Sequence, residues 1–169
     1  MERIIIIGGN GSGKTTLARA MAQRLKLPLT HLDQLFWQDH WQPAPAARFD
    51  RLLAEAMAQP AWIIDGNIKR TLPLRLQRCD TAIWLDFPTW RCLLGALRRL
   101  LRTLGRSRPD MGGCCVERLD RRSLAFLGSV CRFRRRNRAD FARMLAAAPQ
   151  VHLIRLTNPR QVRAFLAGL

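Results

Sequence analysis

The sequence lacks a hydrophobic run long enough to cross a bilayer, because its apolar stretches fall far short of the roughly 18 residues that a span needs. Its first residues, Met1-Glu2-Arg3, lead into four isoleucines and then glycines, a pattern unlike that of a secretory signal peptide. No repeat or linker composition interrupts the 169 residues. We therefore expect a single cytoplasmic domain over 1–169, a monomer or homodimer without a membrane partner.

The chain also lacks the ligand spacing of a metal site. Its five cysteines include no C-x-x-C pair, which a structural zinc site normally uses. The histidines His31 and His40 lack metal-ligand spacing as well and are predicted to be polar surface or lining residues. The pattern favours reduced thiols, some of them buried; the alternative is a metal-stapled loop around Cys114 and Cys115.

Acidic residues are scarce, with 12 Asp and Glu against 29 Lys and Arg, for a net charge of +17. All but three of these cations are arginine, and the 48% hydrophobic content excludes a disordered polycation. The net charge is +4 over 1–85 but +13 over 86–169, with +10 inside 98–138. Such a field attracts polyanions, either nucleic acid or nucleotide phosphates. The alternative is arginine that merely solvates helix faces.

Buried-strand patterns alternate with helical apolar spacing along the chain. The β-branched run Arg3–Ile7 is typical of a strand that is buried on both faces. Further strands are predicted over 29–32, 62–64, 81–85 and 151–156, and helices over 15–25, 47–58, 89–104, 123–147 and 159–166. A loop is predicted over 38–46 and a charged, turn-rich segment over 105–122. Because strands alternate with helices, we predict an α/β fold with a parallel sheet covered on both faces.

A glycine-rich motif follows the first predicted strand and opens the first helix. It matches the phosphate-loop pattern G-x-x-x-x-G-K-[ST] at every fixed position. Its glycines let consecutive N–H groups point at a phosphate chain, and the helix adds its positive end. Lys14 would place its charge between the β- and γ-phosphates, and the Thr15 hydroxyl would ligate Mg²⁺. The predicted cofactors are ATP and Mg²⁺, with a nucleotide site formed by Gly8, Gly9, Asn10, Gly11, Ser12, Gly13, Lys14, Thr15 and Thr16.

Two carboxylates end predicted strands, at the edge where ligands bind in such sheets. Asp65 would hold Mg²⁺ or orient an acceptor; the alternative for it is a plain turn residue. Asp33 would face the acceptor as a base toward a hydroxyl, or else cap the following turn. Phe36 and Trp37, together with Trp41, would form an aromatic wall for a planar acceptor, or else belong to the core.

Arginines concentrate around the turn-rich segment. Arg98 and Arg102 are four apart, hence on one helix face, and Arg108 lies in the segment itself. Two helices joined by such a segment would close over a triphosphate, exclude water and stabilise transition-state charge, an effect worth roughly 10³–10⁵ in rate. The predicted catalytic residues are therefore Lys14, Asp33, Asp65, Arg98, Arg102 and Arg108.

Several of these stretches occur together: the phosphate loop, 31–37, 62–70, 85–88, 108–111 and 133–138. The combination covers nearly the whole chain and resembles the DNA topology modulation (FlaR-like) proteins, which are adenylate-kinase-related P-loop proteins. The resemblance implies a three-layer, nucleoside monophosphate kinase-like P-loop fold with a five-stranded parallel sheet. It also implies an acceptor-side segment near 31–60 and a lid near 106–122. With it, the predicted substrate-binding residues are Asp33, Phe36, Trp37, Asp65, Asn67 and Arg70, the last gripping an acceptor phosphate.

The sequence therefore predicts a phosphotransferase that moves the γ-phosphoryl group of ATP to a nucleotide or another small acceptor. A nucleoside monophosphate would bring its own phosphate nucleophile, whereas a hydroxyl acceptor would need Asp33 as base. The absence of an N-K-x-D motif favours ATP over GTP. Two alternatives stay open: a nucleotide switch without transfer, and a nucleotide-regulated DNA-binding protein that affects DNA topology. No helix-turn-helix, zinc-finger or RNA-binding signature accompanies the basic charge, so nucleic acid is the secondary expectation.

Overall fold

The computed structural model describes residues 1–107, 110–111 and 115–169. In those ranges the α-helices are α1 (Lys14–Leu25), α2 (Leu32–Phe36), α3 (Ala46–Ala58), α4 (Leu72–Arg78), α5 (Thr89–Thr103), α6 (Arg121–Ala146) and α7 (Pro159–Ala167). The strands are β1 (Arg3–Gly8), β2 (Leu29–His31), β3 (Trp37–Gln38), β4 (Gln42–Pro43), β5 (Trp62–Asp65), β6 (Thr81–Leu85) and β7 (His152–Leu156).

Five strands form one parallel sheet in the order β2-β5-β1-β6-β7. The central strand β1 buries its four isoleucines completely. Ile5 and Ile7 belong to the core formed with α3 and α4, whereas Ile4 and Ile6 belong to the core formed with α1 and α5. The alternation follows from the two-residue period of a strand. The predicted α/β fold, a five-stranded parallel sheet with helices on both faces, is confirmed.

Four elements have no counterpart in the sequence-based expectation. The short helix α2 begins at Leu32, where the predicted extended stretch 29–32 ends, and covers residues to which no element was assigned. Strands β3 and β4 form an antiparallel hairpin that lies mostly within the predicted loop 38–46. Helix α4 has no counterpart among the predicted helices. Its leucines, at positions 72, 74 and 76, are spaced by two, and Arg75 is buried completely between them, so apolar periodicity gives no helical signal there.

Arg75 connects α4 to the loop that follows β5. Its two terminal nitrogens donate to the carbonyl oxygens of Gly66 at 3.1 Å and Ile68 at 3.0 Å. Burial lowers the pKa of Arg75 to about 10. The side chain therefore fixes the backbone immediately after Asp65, the carboxylate at the end of β5.

Described residues between α5 and α6 contact one another and the acceptor-side segment. Gly105 N donates to Glu117 O at 2.8 Å, and Trp41 Nε1 donates to Val116 O at 3.3 Å. The Cys115 thiol donates to Gln38 O at 3.2 Å. Helix α6 then begins at a capping box between Asp120 and Ser123. Two residues with sequence-predicted roles lie outside the described residues: Arg108, which is predicted to be catalytic, and Cys114, one of the two cysteines of the alternative metal loop.

Candidate active site

The glycine-rich motif forms the turn between β1 and α1. Gly11 and Gly13 have positive φ angles of 82° and 90°, which glycine adopts without steric cost. A Cβ atom on Gly11 would lie 2.1 Å from the carbonyl oxygen of Cys92 on α5, so no larger residue fits there. No side chain caps α1, whose first residue follows Gly13. This arrangement presents the positive end of a helix, with its N–H groups, to an anion.

Lys14 is the buried cation of the loop. Its Nζ donates to Gly9 O at 3.1 Å. Burial lowers the pKa of Lys14, while the charges of Asp65 and Asp33 oppose that shift. A buried ammonium beside a glycine loop is stabilised by a phosphate that supplies the opposite charge. Thr16, also assigned to the nucleotide site, is exposed on α1 and does not line the cleft that contains Lys14.

A cleft of about 760 Å³ lies at the carboxyl edge of the sheet, a size typical of small-molecule sites. Three groups of side chains form walls of this cleft. The donor wall comprises Asn10, Lys14, Thr15 and Asp65. The acceptor wall comprises Asp33, Phe36, Trp37 and Trp41. The arginine wall comprises Arg99, Arg118 and Arg122.

Asp65 is the centre of the donor wall. Its Oδ2 accepts a hydrogen bond from Thr15 Oγ1 at 2.9 Å and lies 3.1 Å from Nδ1 of His31, which is also buried. Its Oδ1 is buried without a hydrogen-bond partner among the described residues. A buried carboxylate oxygen left in this way needs a donor or a cation.

Thr15 and Asp65 fit a Mg²⁺ ion. The ion takes oxygen ligands and is usually held by one or two carboxylates together with substrate phosphates and water. The hydroxyl and the orphaned Oδ1 supply such oxygens beside the phosphate loop. In the described ranges, no group of three or more His, Cys, Asp or Glu residues converges as a metal site. An ion here would therefore depend on a nucleotide for its remaining ligands.

The acceptor wall brings the predicted aromatic residues together at the cleft. The rings of Phe36 and Trp37 meet edge to face with centroids 4.8 Å apart, and those of Trp37 and Trp41 at 5.7 Å. Asp33 follows β2 on the first turn of α2 and lines the same cleft. The wall thus offers a carboxylate beside an apolar, planar surface.

Two predicted substrate contacts have other partners. Asn67 lines the cleft, but its Oδ1 accepts from Gly8 N at 3.0 Å and its Nδ2 donates to Gly8 O, so both amide ends hold β1. Arg70 lies outside the lining and donates to both carboxylate oxygens of Asp50, at 3.0 and 2.7 Å. This hydrogen bonding raises the pKa of Arg70 and lowers that of Asp50. Their predicted roles toward substrate stay predictions.

The arginine wall differs from the predicted set. Arg98 and Arg102 are exposed on α5 and do not line the cleft, whereas their neighbour Arg99 does, with its guanidinium 5.1 Å from the ring centre of Phe126. The core-facing side of α5 is set by Cys92, Ala96 and Leu100. The i, i+4 spacing of Arg98 and Arg102 shows that they share a face, but that shared face lies away from the cleft. Their catalytic roles stay predictions. Arg99 is the arginine of α5 that lines the cleft, and the i, i+4 spacing did not identify it.

Part of the arginine block on α6 has a structural partner. Asp86, buried just after β6, accepts from Arg134 Nε at 3.3 Å and Arg138 Nε at 3.0 Å, and it also pairs with Arg155 of β7. The guanidinium of Arg155 lies 5.1 Å from the ring centre of Trp84. These contacts join α6 and β7 to the end of β6. The sequence does not indicate this structural role of the arginines; its only sign is the aspartate that follows a buried strand.

Comparisons with known proteins agree with this geometry. The family model of the ATPases associated with various cellular activities (AAA) matches residues 4–85, which contain the phosphate loop and β5. The shikimate kinase of Bacteroides thetaiotaomicron superposes with a TM-score of 0.59 at 16% identity, over 99% of this chain and 95% of its own. The chain has a kinase-like P-loop fold.

Two further solved structures share this kinase-like P-loop fold. The shikimate kinase of Acinetobacter baumannii, in complex with shikimate, has a TM-score of 0.59 and 16% identity over 99% of this chain and 90% of its own. The YorR protein of Bacillus subtilis, in complex with phosphorylated GDP, has a TM-score of 0.54 and 12% identity over 98% and 91%. A search of curated proteins gives no match.

Proposed function

We propose that the protein is a cytoplasmic, Mg²⁺-dependent kinase that transfers the γ-phosphoryl group of ATP to a hydroxyl group of a small acceptor. The observation that carries this proposal is the donor wall, where Lys14, Thr15 and the orphaned Oδ1 of Asp65 line one cleft. The same cleft offers Asp33 beside an aromatic surface. A kinase-like P-loop fold supports the same reading.

The donor wall would bind the triphosphate. The phosphate loop would wrap the β- and γ-phosphates with backbone N–H groups, and Lys14 would add its charge between them. Thr15 and Asp65 would hold Mg²⁺, which when bound neutralises charge on the β- and γ-phosphate oxygens. His31, through its contact with Asp65 Oδ2, would keep the carboxylate turned toward the ion.

The acceptor wall favours a hydroxyl over a phosphate nucleophile. Arg70, the residue expected to grip an acceptor phosphate, is bound to Asp50 outside the cleft lining. Asp33 lines the cleft and is close enough to the ammonium of Lys14 to affect its pKa. In the reaction, the acceptor oxygen bonds to the γ-phosphorus as the bond to the β–γ bridging oxygen breaks, Asp33 takes the hydroxyl proton, and ADP leaves.

Two of the proteins with similar folds were solved with a bound molecule, one with shikimate and the other with phosphorylated GDP. Shikimate carries hydroxyl groups, so that complex agrees with a hydroxyl acceptor. The complex with phosphorylated GDP agrees with binding of a nucleotide. The aromatic rings of the acceptor wall suit an acceptor with a planar or apolar body.

The test is ADP release from ATP, screened against sugars, nucleosides, small alcohols, hydroxy acids and nucleoside monophosphates. We expect stimulation by a hydroxyl compound, and a fall of about 10²–10⁴ in kcat for Asp33→Asn with ATP binding intact by calorimetry. Asp39→Asn is the matched control, because Asp39 lies six residues further along the chain and does not line the cleft. Stimulation by a nucleoside monophosphate, with Asp33→Asn fully active, would refute a hydroxyl acceptor.

A second candidate is the nucleotide-regulated DNA-binding protein implied by the FlaR-like resemblance. The net charge of +13 over 86–169 favours it. Nonspecific binding of a random duplex would have a Kd of about 10⁻⁴–10⁻⁶ M and a steep salt dependence. Tight duplex binding modulated by ATP, with no acceptor stimulating ADP release, would favour this candidate over the kinase.

A further inference from the structure

Helix α5 has a second apolar face, which points to solvent. Its core-facing side is formed by Cys92, Ala96 and Leu100. The other face consists of large side chains spaced alternately by four and three residues, so that they form one stripe along the helix. This α5 stripe comprises Trp90, Leu94, Leu97, Leu101 and, just past the helix, Leu104, with exposed fractions of 57, 43, 40, 59 and 42%.

An exposed stripe of this length needs a partner. Single exposed leucines are ordinary on protein surfaces, but a contiguous row of five marks an interaction site. The described part of the chain places no other segment over these side chains deeply enough to bury them.

Cations flank the α5 stripe along one side. Arg91, Arg98 and Arg102 follow at spacings of seven and four, and the helix contains no acidic residue. The Arg91 guanidinium lies 4.9 Å from the ring centre of Trp90. Within the described ranges Arg98 and Arg102 are exposed and form no ion pair. The surface thus combines a tryptophan, leucines and unneutralised positive charge.

We propose that the outer face of α5 docks on an anionic membrane surface. Tryptophan and leucine would enter the boundary between headgroups and acyl chains, while the three arginines reach lipid phosphates. The helix would lie flat, because it has 15 residues, and none of the described helices is long and apolar enough to cross a bilayer. A peripheral contact of this kind leaves no hydrophobic run in the sequence, which is why no membrane partner was expected from it.

Charge decides between this partner and two others. A second copy of the chain would bring another net +17 and another row of arginines to the same face, which costs repulsion. A nucleic acid would satisfy the arginines through its phosphates but leave the leucines without an apolar partner. An anionic bilayer satisfies both.

Docking would also set the orientation of the cleft. A Cβ atom on Gly95 of α5 would lie 2.1 Å from the carbonyl oxygen of Gly11, so α5 lies directly against the phosphate loop. Helix α5 therefore carries the stripe on its outer face and contacts the phosphate loop on another, so a membrane on the stripe would determine where the cleft faces.

The test is co-sedimentation of the whole protein with phosphatidylcholine vesicles that contain either no anionic lipid or about 30% phosphatidylglycerol. We expect binding to the anionic vesicles at least tenfold tighter than to phosphatidylcholine alone. The double variant Leu94→Gln/Leu101→Gln, which leaves the charge unchanged, should lose at least tenfold in affinity. The control is Leu153→Gln, at a leucine on β7 with the same exposed fraction as Leu94, and this variant should bind as the parent does.

Circular dichroism and ATP calorimetry verify that each variant is folded, so loss of vesicle binding cannot be ascribed to unfolding. Anionic vesicle binding that the double variant retains in full would overturn the proposal, since charge alone would then account for it. Absence of vesicle binding would overturn it as well. Sedimentation of a dimer that the double variant abolishes would assign the stripe to a second copy, and duplex DNA binding without vesicle binding would assign the arginines to nucleic acid.

Discussion

The donor wall and the arginine wall of the cleft are built in opposite ways. In the donor wall, a strand end and a tight turn bring Thr15 and His31 onto one carboxylate, Asp65, through contacts of 2.9 and 3.1 Å. In the arginine wall, cations occur on many sides of α5 and α6, and helix packing selects the few that reach the cleft. The positions of the donor-wall side chains thus follow from a short motif in the sequence. The positions of the arginines depend instead on how α5 and α6 pack against neighbouring elements.

Of the two walls, the donor wall should show the larger effect. Lys14→Ala removes the buried ammonium of the phosphate loop, so we expect about a 10²–10³-fold fall in kcat for ATP turnover and weaker ATP binding by calorimetry. Lys69→Ala is the control, because Lys69 is exposed and pairs with Asp140; its turnover should stay within about threefold of the parent, as expected of a surface ion pair. Unchanged turnover and ATP binding in Lys14→Ala would contradict the whole assignment of the site.

The next effect compares two adjacent residues of α5. Arg99→Gln removes a cation that lines the cleft, so we expect kcat/KM to fall about tenfold or more. Arg98→Gln removes an exposed cation one position away, and its kcat/KM should change by about twofold at most. A larger loss in Arg98→Gln than in Arg99→Gln would restore the catalytic role predicted from sequence spacing and would require a rearrangement of α5 on nucleotide binding.

The sequence was most informative where chemistry is local. The run of four isoleucines predicts the buried strand β1, because β-branched residues favour extended backbone. The glycines predict the phosphate loop, because its tight turn needs backbone angles that glycine adopts easily. Helix α4 escaped prediction because a fully buried arginine occupies its centre. The choice of Arg99 over Arg98 depends on the rotation of α5 against its neighbours, which is a property of packing. The pairing of Arg70 with Asp50 joins α3 to a turn 20 residues away and leaves no pattern in the sequence.

A third prediction concerns stability in the arginine-rich half. Asp86→Asn keeps the shape of the side chain but removes the charge shared by Arg134, Arg138 and Arg155, so the three guanidinium groups repel one another without compensation. We expect the free energy of unfolding in urea to fall by about 2 kcal/mol, the range for hydrogen bonds to a charged group, because the arginines stay partly solvated. Asp140→Asn, at an exposed pair, should cost much less, because solvent and salt screen such a pair. Equal costs at the two positions would mean that burial adds nothing to the Asp86 cluster.

The smallest effect is expected at Asp80, a carboxylate in residues 1–85, where arginine is less frequent than in residues 86–169. Burial raises the pKa of Asp80, but hydrogen bonds from Thr81 Oγ1 at 2.6 Å and from the N–H groups of Arg3 and Glu2 at 2.7 and 2.9 Å outweigh it, and the pKa lies below its ordinary value. A carboxyl whose pKa is depressed by folding stabilises the protein above the unfolded pKa of about 4, and that stability is lost as the pH falls through the folded value.

Asp80→Asn should therefore lower the free energy of unfolding by at most about 1 kcal/mol at pH 7, because Asp80 is partly exposed and solvent screens its contacts. The difference should shrink as the pH falls below about 4. Urea unfolding across this pH range measures it. Because backbone N–H groups hold Asp80, added salt should change this difference less than it changes the effect of Asp86→Asn, whose partners are charged side chains. A pH-independent difference would show that the carboxylate charge of Asp80 has no part in stability, and a stronger salt dependence at Asp80 than at Asp86 would reverse the contrast between the two halves of the chain.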